Sequence, residues 1–136
     1  IRSAEVTAAV STVASVPEVR RILVKLQQDM ALRRGVVMDG RDIGTNVMPD
    51  AEVKVFMTAS VRVRAERRWK EIRGQDPKAT VESLMEAIER RDRADSERET
   101  SPLRRADDAL LLDTSHISAE EAADRIVRLA LRALEE

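Results

Sequence analysis

Two segments of this chain set arginine beside aspartate at spacings that suit anion chemistry. The first is Val36-Val37-Met38-Asp39-Gly40-Arg41-Asp42-Ile43-Gly44-Thr45. An apolar run that stops at Asp-Gly predicts a buried parallel strand opening into a loop at its carboxyl end. In open α/β sheets that end binds ligands. Arg41 can fork onto a phosphate, while Asp39 and Asp42 can face a metal or a polar ring. The second segment is Arg91-Asp92-Arg93-Ala94-Asp95-Ser96-Glu97-Arg98. Arg91, Asp95 and Arg98 share one helical face, so a carboxylate can brace two guanidiniums that reach outward to phosphate or sugar. A third group, Arg64, Arg67 and Arg68, also shares a face and could close as a lid over transferring phosphates. Each group has a plainer account: an Asp turn, a solvated ion-pair ladder, or an exposed basic face. Together they favour phosphoryl transfer to a nucleotide, by a chain lacking its own phosphate loop.

Composition narrows the alternatives. The 136 residues are 43% hydrophobic and 36% charged, with a formal net charge of -1. That size suits one domain. The balanced charge argues against a nonspecific nucleic-acid binder, whose footprint is a basic excess. Cysteine is absent, which excludes disulfides and thiolate metal sites and fits a reducing, cytoplasmic setting. No apolar run approaches the roughly 20 residues that span a bilayer, so no membrane partner is expected. Phe56 and Trp69 are the only aromatics, too few for a stacked base platform. No zinc-ligand spacing and no Ser/His/Asp order is present. The start at Ile1-Arg2-Ser3 suggests a piece of a longer protein.

The elements that must position these residues follow from periodicity. A helix is expected over about 3–15. Pro17 suits the first turn of a second helix, whose stripe Val19, Ile22, Leu23, Leu26 and Met30 should face inward, with Arg20 off it and Gly35 as a stop. Strands are expected over 36–39, 53–57 and 109–113. Between them, Ser60 should cap a helix over 61–73 and Thr80 another whose inward residues are Leu84, Met85 and Ile88. Ser118 and Glu121 form a capping box for the last helix, with Ala122, Ile126, Leu129, Ala130 and Ala133 inward. Met38, Met48 and Met57 read as core or near-core. Strands alternating with helices imply an α/β fold with a thin parallel sheet.

At this point the residues resemble a known family. Val16-Pro17-Glu18-Val19-Arg20, Asp39-Gly40-Arg41-Asp42-Ile43-Gly44-Thr45, Arg64-Ala65-Glu66-Arg67-Arg68, Arg91-Asp92 with Asp95 and Arg98, Ser101-Pro102-Leu103 and Leu112-Asp113-Thr114 together resemble bacterial cytidylate (CMP) kinase over essentially the whole chain. The resemblance implies the three-layer P-loop monophosphate-kinase sandwich with a parallel sheet, and the reaction of ATP with CMP or dCMP to give ADP and CDP or dCDP. It implies Mg2+ accompanying ATP as co-substrate; from its place at the strand end, Asp39 is expected near the ion, as an indirect contact. Ser11, Arg20 and Asp42 would recognise the cytosine ring, Arg41 the acceptor phosphate, Arg91 and Asp95 the sugar, and Arg98 the phosphate or base end. Arg64, Arg67 and Arg68 would be lid residues toward ATP. Arg41, Arg67 and Arg98 are the residues expected to serve catalysis.

The departure from the family is large. The family's opening strand and Gly-x-x-x-x-Gly-Lys-Ser/Thr loop, which cradles ATP phosphates, do not occur here. Residues 1–34 are then expected to be the tail of the acceptor-binding helical region and 35–136 the rest of the kinase core, with the lid helix at about 61–80. The fragment alone is expected to lack full kinase activity. A non-catalytic CMP-binding fragment is the alternative, and an Arg-rich RNA-binding domain a weaker one. The protein is expected to act as a monomer on CMP or dCMP and ATP, without nucleic acid or membrane.

Overall fold

The structure, a computed structural model, describes residues 4–33 and 35–135. They form α1 (Ala4–Ala14), α2 (Pro17–Ala31), a π-helical turn (Ile43–Val47), β1 (Val55–Thr58), α3 (Val61–Ile72), α4 (Val81–Glu97), β2 (Leu110–Asp113) and α5 (Ala119–Glu135). The chain divides into two compact units. One is built from residues 1–51 and 92–106, the other from 52–91 and 107–136.

In the second unit, β1 and β2 pair in parallel, with Val55 opposite Leu110 and Thr58 opposite Asp113. The ladder continues at both ends: Leu110 N donates to Lys54 O at 2.9 Å and Thr114 N to Thr58 O at 2.8 Å. The helix caps follow local chemistry. Ser60 Oγ accepts from Val63 N. Thr80 Oγ1 accepts from Ser83 N. Ser118 and Glu121 exchange reciprocal hydrogen bonds at the start of α5. Ala65, Ala109, Leu112 and Ala122 are buried in this unit. Ala122, Ile126, Leu129 and Ala133 turn inward along α5, but Ala130 is exposed. Met57, expected near the core, is exposed as well.

Beyond β2, Asp113 Oδ1 accepts from both the hydroxyl (2.6 Å) and the amide (2.8 Å) of Ser115. The hydroxyl, chiefly, and then the amide hold the Asp113 carboxyl below the usual aspartate range. A depressed acid stabilises the fold above its unfolded pKa, about 3.9, and that contribution fades as pH falls through the lower folded value. Ser115→Ala should therefore weaken the acid dependence of unfolding below about pH 3.9. Urea unfolding across that range checks it.

Two expectations fail here. Residues 36–39 do not form a strand, and Val37 is 97% exposed. A strand is held by hydrogen bonds to a neighbour, and among the described residues the only ladder is β1 with β2. The expected three-stranded sheet is accordingly two-stranded. The α2 stripe also faces the other way: Ile22, Leu23, Leu26 and Met30 are exposed, whereas Arg20 is buried and Val24, Gln27, Gln28 and Ala31 are half-buried. Apolar burial has no preferred direction, but a buried guanidinium must face its carboxylate. The segment carrying Asp42 lies on the Arg20 side and sets the rotation of α2.

Candidate functional site

The first unit concentrates its buried charge around the dipeptide Arg41-Asp42. Asp42 is 3% exposed and Arg20 8%, and Arg20 Nη2 donates to Asp42 Oδ2. Asn46 Nδ2 adds a longer contact to the same oxygen at 3.5 Å. Asp42 also opens the π-helical turn, its carbonyl accepting from Asn46 N at 2.9 Å and Val47 N at 3.4 Å. Val47 plugs the turn into the interior. Gln28 Nε2, two turns beyond Arg20 on α2, donates to Asn46 O at 3.0 Å. Glycine is needed just upstream: a Cβ at Gly40 would lie 2.9 Å from Ile43 Cγ1.

Arg41 reaches the opposite way. Its Nε donates to Asp95 Oδ2 at 3.0 Å. The Arg41 side chain is 42% exposed while that of Asp95 is 4% exposed, so the carboxylate anchors one edge of a guanidinium whose rim meets solvent. Asp95 Oδ1 lies 3.8 Å from Arg98 Nη1. The end of α4 is folded tightly around this pair. Leu103 N donates to Asp95 O at 2.8 Å, and Arg98 Nε donates to Ser101 O at 2.6 Å. Ser101 turns the chain with φ +53°, a left-handed conformation uncommon outside glycine. Among the described residues, Arg98 Nη2 and Arg20 Nε are buried without a hydrogen-bond partner. Buried guanidinium donors are ordinarily satisfied, and an oxygen-rich anion is the chemistry that would satisfy them.

The remaining expected residues lie as follows. Arg91 is half-buried on α4, one turn before Asp95. The Ser11 side chain falls outside the described residues. Asp39 is exposed, and among the described residues no group of three or more His, Cys, Asp or Glu side chains is arranged to hold a metal. In the second unit, Arg67 donates to Thr114 Oγ1 at 3.1 Å, Thr114 O at 2.5 Å and Ile117 O at 3.3 Å. Arg64 Nε donates to Ala59 O at 3.1 Å, and Arg68 pairs with Glu71. Arg64 and Arg67 thus spend donors on backbone carbonyls at the β1 and β2 ends, and Arg68 on its own helix.

A family model for cytidylate kinase matches residues 1–132. The chain belongs to the cytidylate kinase family. It is 55% identical over 121 residues to a cytidylate kinase of Phocaeicola vulgatus, covering 89% of this chain and 53% of that protein. To a Bacillus anthracis cytidylate kinase it is 54% identical over 131 residues, covering 96% and 58%. It is also 55% identical over 135 residues to a bifunctional pantoate ligase/cytidylate kinase of Synechococcus, covering 99% of this chain and 25% of that protein. The chain therefore spans little more than half the length of the single-function relatives. The α/β architecture with a small parallel sheet agrees with part of such a kinase. Among the described residues no helix is long and apolar enough to cross a membrane.

Residue types alone did not reveal Gln28, Asn46 or Ser101 as parts of this cluster. A signal existed for Gln28, which follows Arg20 by eight residues on the same helix. Ser101 acts through its backbone, and Asn46 through its backbone and its side-chain amide together, a geometry that composition does not carry.

Proposed function

We propose that this chain is the acceptor-binding portion of an enzyme that transfers the γ-phosphoryl group of ATP to CMP or dCMP. An acceptor phosphate oxygen attacks the γ-phosphorus, the bond to the β,γ-bridging oxygen breaks, and ADP leaves. Magnesium would arrive with ATP. The single observation that carries this reading is the Asp95 carboxylate bracing Arg41 and Arg98, with Arg98 Nη2 left as a buried donor. Arg41 takes one hydrogen bond among the described residues, through Nε, so its two terminal nitrogens are available to fork onto a phosphate.

Base recognition is assigned to Asp42. Its Oδ2 is occupied by Arg20 and Asn46, while Oδ1 accepts nothing among the described residues. An amine at the ring edge would find there a fixed acceptor on a carboxylate whose side chain is 4% exposed. Ser11 and Arg20 would complete that end, and Arg91 would contact the sugar beside Asp95. Such a pocket works by alignment and charge neutralisation, which are the main demands of phosphoryl transfer. Arg64, Arg67 and Arg68 would act toward ATP only after exchanging their present partners. In the longer protein the sheet would be the three-layer P-loop sandwich, in a cytoplasmic monomer. For this chain alone the reading is nucleotide binding without full transfer, because the chain spans little more than half of its single-function relatives.

Calorimetric titration tests it. The chain should bind CMP, and Arg41→Ala should weaken CMP by about 10- to 150-fold, the loss of a charged hydrogen bond worth about 1.5–3 kcal/mol. Cytidine, which has no phosphate, should bind both forms alike. Absence of CMP binding by the unaltered chain, or equal losses for CMP and cytidine, would refute the proposal.

A further inference from the structure

We infer that Gln28 is a positioning residue for the acceptor nucleotide, acting through the π-helical turn; this rests on the CMP-binding reading above. Its Nε2 donates to Asn46 O at 3.0 Å across a separation of 18 residues. Asn46 in turn is tied twice to Asp42: its N donates to Asp42 O at 2.9 Å, and its Nδ2 approaches Asp42 Oδ2 at 3.5 Å. The turn is widened by one residue relative to an ordinary helical turn, with Val47 N reaching Asp42 O at 3.4 Å and Met48 N reaching Ile43 O at 2.7 Å. Such single π turns are rare, and they concentrate at functional sites because they re-aim the residues at their edges.

The geometry explains why a second grip is needed. The Arg20 pairing fixes the Asp42 carboxylate at one point, and a side chain held at one point can still rotate with its backbone. Gln28 fixes the carbonyl of the same turn from the same helix, two turns further along. Held at both points, Asp42 has its peptide plane and its carboxylate oriented together, and Oδ1 keeps one direction. Asn46 O lies in a turn whose carbonyl would otherwise have to find water. Gln28 touches no atom assigned to the nucleotide; it acts through Asn46 and Asp42.

The test replaces Gln28 by methionine, which keeps the length and apolar packing of the side chain but removes the donor, and by lysine, which restores a donor. Gln28→Met should weaken CMP and cytidine alike by about tenfold, the scale of one hydrogen bond with its partner left unsatisfied. Inorganic phosphate, competing for the Arg41 end only, should be displaced unchanged. Gln28→Lys should recover most of the lost affinity. Amide hydrogen exchange without nucleotide gives an independent readout: Asn46 and Val47 should exchange about tenfold faster in Gln28→Met and near the original rate in Gln28→Lys. Unaltered CMP affinity in Gln28→Met overturns the inference while leaving the CMP reading intact. No CMP binding by the original chain overturns both. Unchanged exchange at Asn46 and Val47 overturns the positioning route, whatever the affinities.

Discussion

Asp95→Ala is expected to destabilise the chain by about 3–5 kcal/mol, the cost of breaking a buried ion pair by removing one partner. The size follows from which charges are left behind. The Arg98 side chain is 9% exposed and Arg41 42%. Arg41 can turn to water when its carboxylate goes, but Arg98 cannot. Its Nε would still hold Ser101 O, while Nη1 and Nη2 would face the interior with no counter-charge. Asp95→Asn, which keeps the shape and one acceptor, should cost less than alanine. Arg41→Ala, on the exposed side of the same carboxylate, should cost far less stability, near the upper end of about 0–1 kcal/mol for a surface pair. Urea unfolding followed by helical circular dichroism measures all three. If Asp95→Ala costs no more than Arg41→Ala, Asp95 is not the anchor of this cluster.

Asp42→Ala is expected to have an effect of similar size for a different reason. It leaves Arg20 buried on α2, again at about 3–5 kcal/mol. Arg20→Ala should cost as much, and the double variant should fall short of the sum of the two by about 0.5–3 kcal/mol, the range for side chains in direct contact. Additive losses would mean that the two charges do not sense each other. The functional consequence separates this pair from Asp95. In an enzyme carrying this chain and its phosphate loop, Asp42→Ala should weaken CMP far more than ATP, since Asp42 is assigned to the acceptor base. Equal losses for both nucleotides would remove it from that role.

Where the chain forms helices was readable from local chemistry. Ser60, Thr80 and the Ser118–Glu121 pair cap as their types dictate, and Pro17 opens α2. These signals act within one turn and need nothing distant. Strand formation depends on a neighbour, and so 36–39 could not be settled from its own apolar residues. The orientation of α2 failed for a related reason: the apolar stripe was visible, but the deciding contact joins Arg20 to Asp42, 22 residues away. Arg41, Asp42, Asp95 and Arg98 stood out by charge and spacing. That Arg41 would cross 54 residues to Asp95, and that Arg20 and Asp42 would pair with each other, lay in the tertiary fold. The π-helical turn has no sequence signature that composition or period would reveal.

The adjacency of Arg41 and Asp42 has a consequence for how the loop finds its path. Two consecutive residues of opposite sign reach two separate partners of opposite sign, Asp95 and Arg20. Were the backbone threaded one position out of step, either aspartate would meet aspartate while Ile43 faced Arg20, or arginine would meet arginine while Gly40 faced Asp95. One attraction would turn into a repulsion, and the other partner would be left without its counter-charge. The dipeptide thus acts as a two-digit lock: misalignment by a single residue is penalised twice over, and the correct threading is selected by what its nearest competitor would suffer.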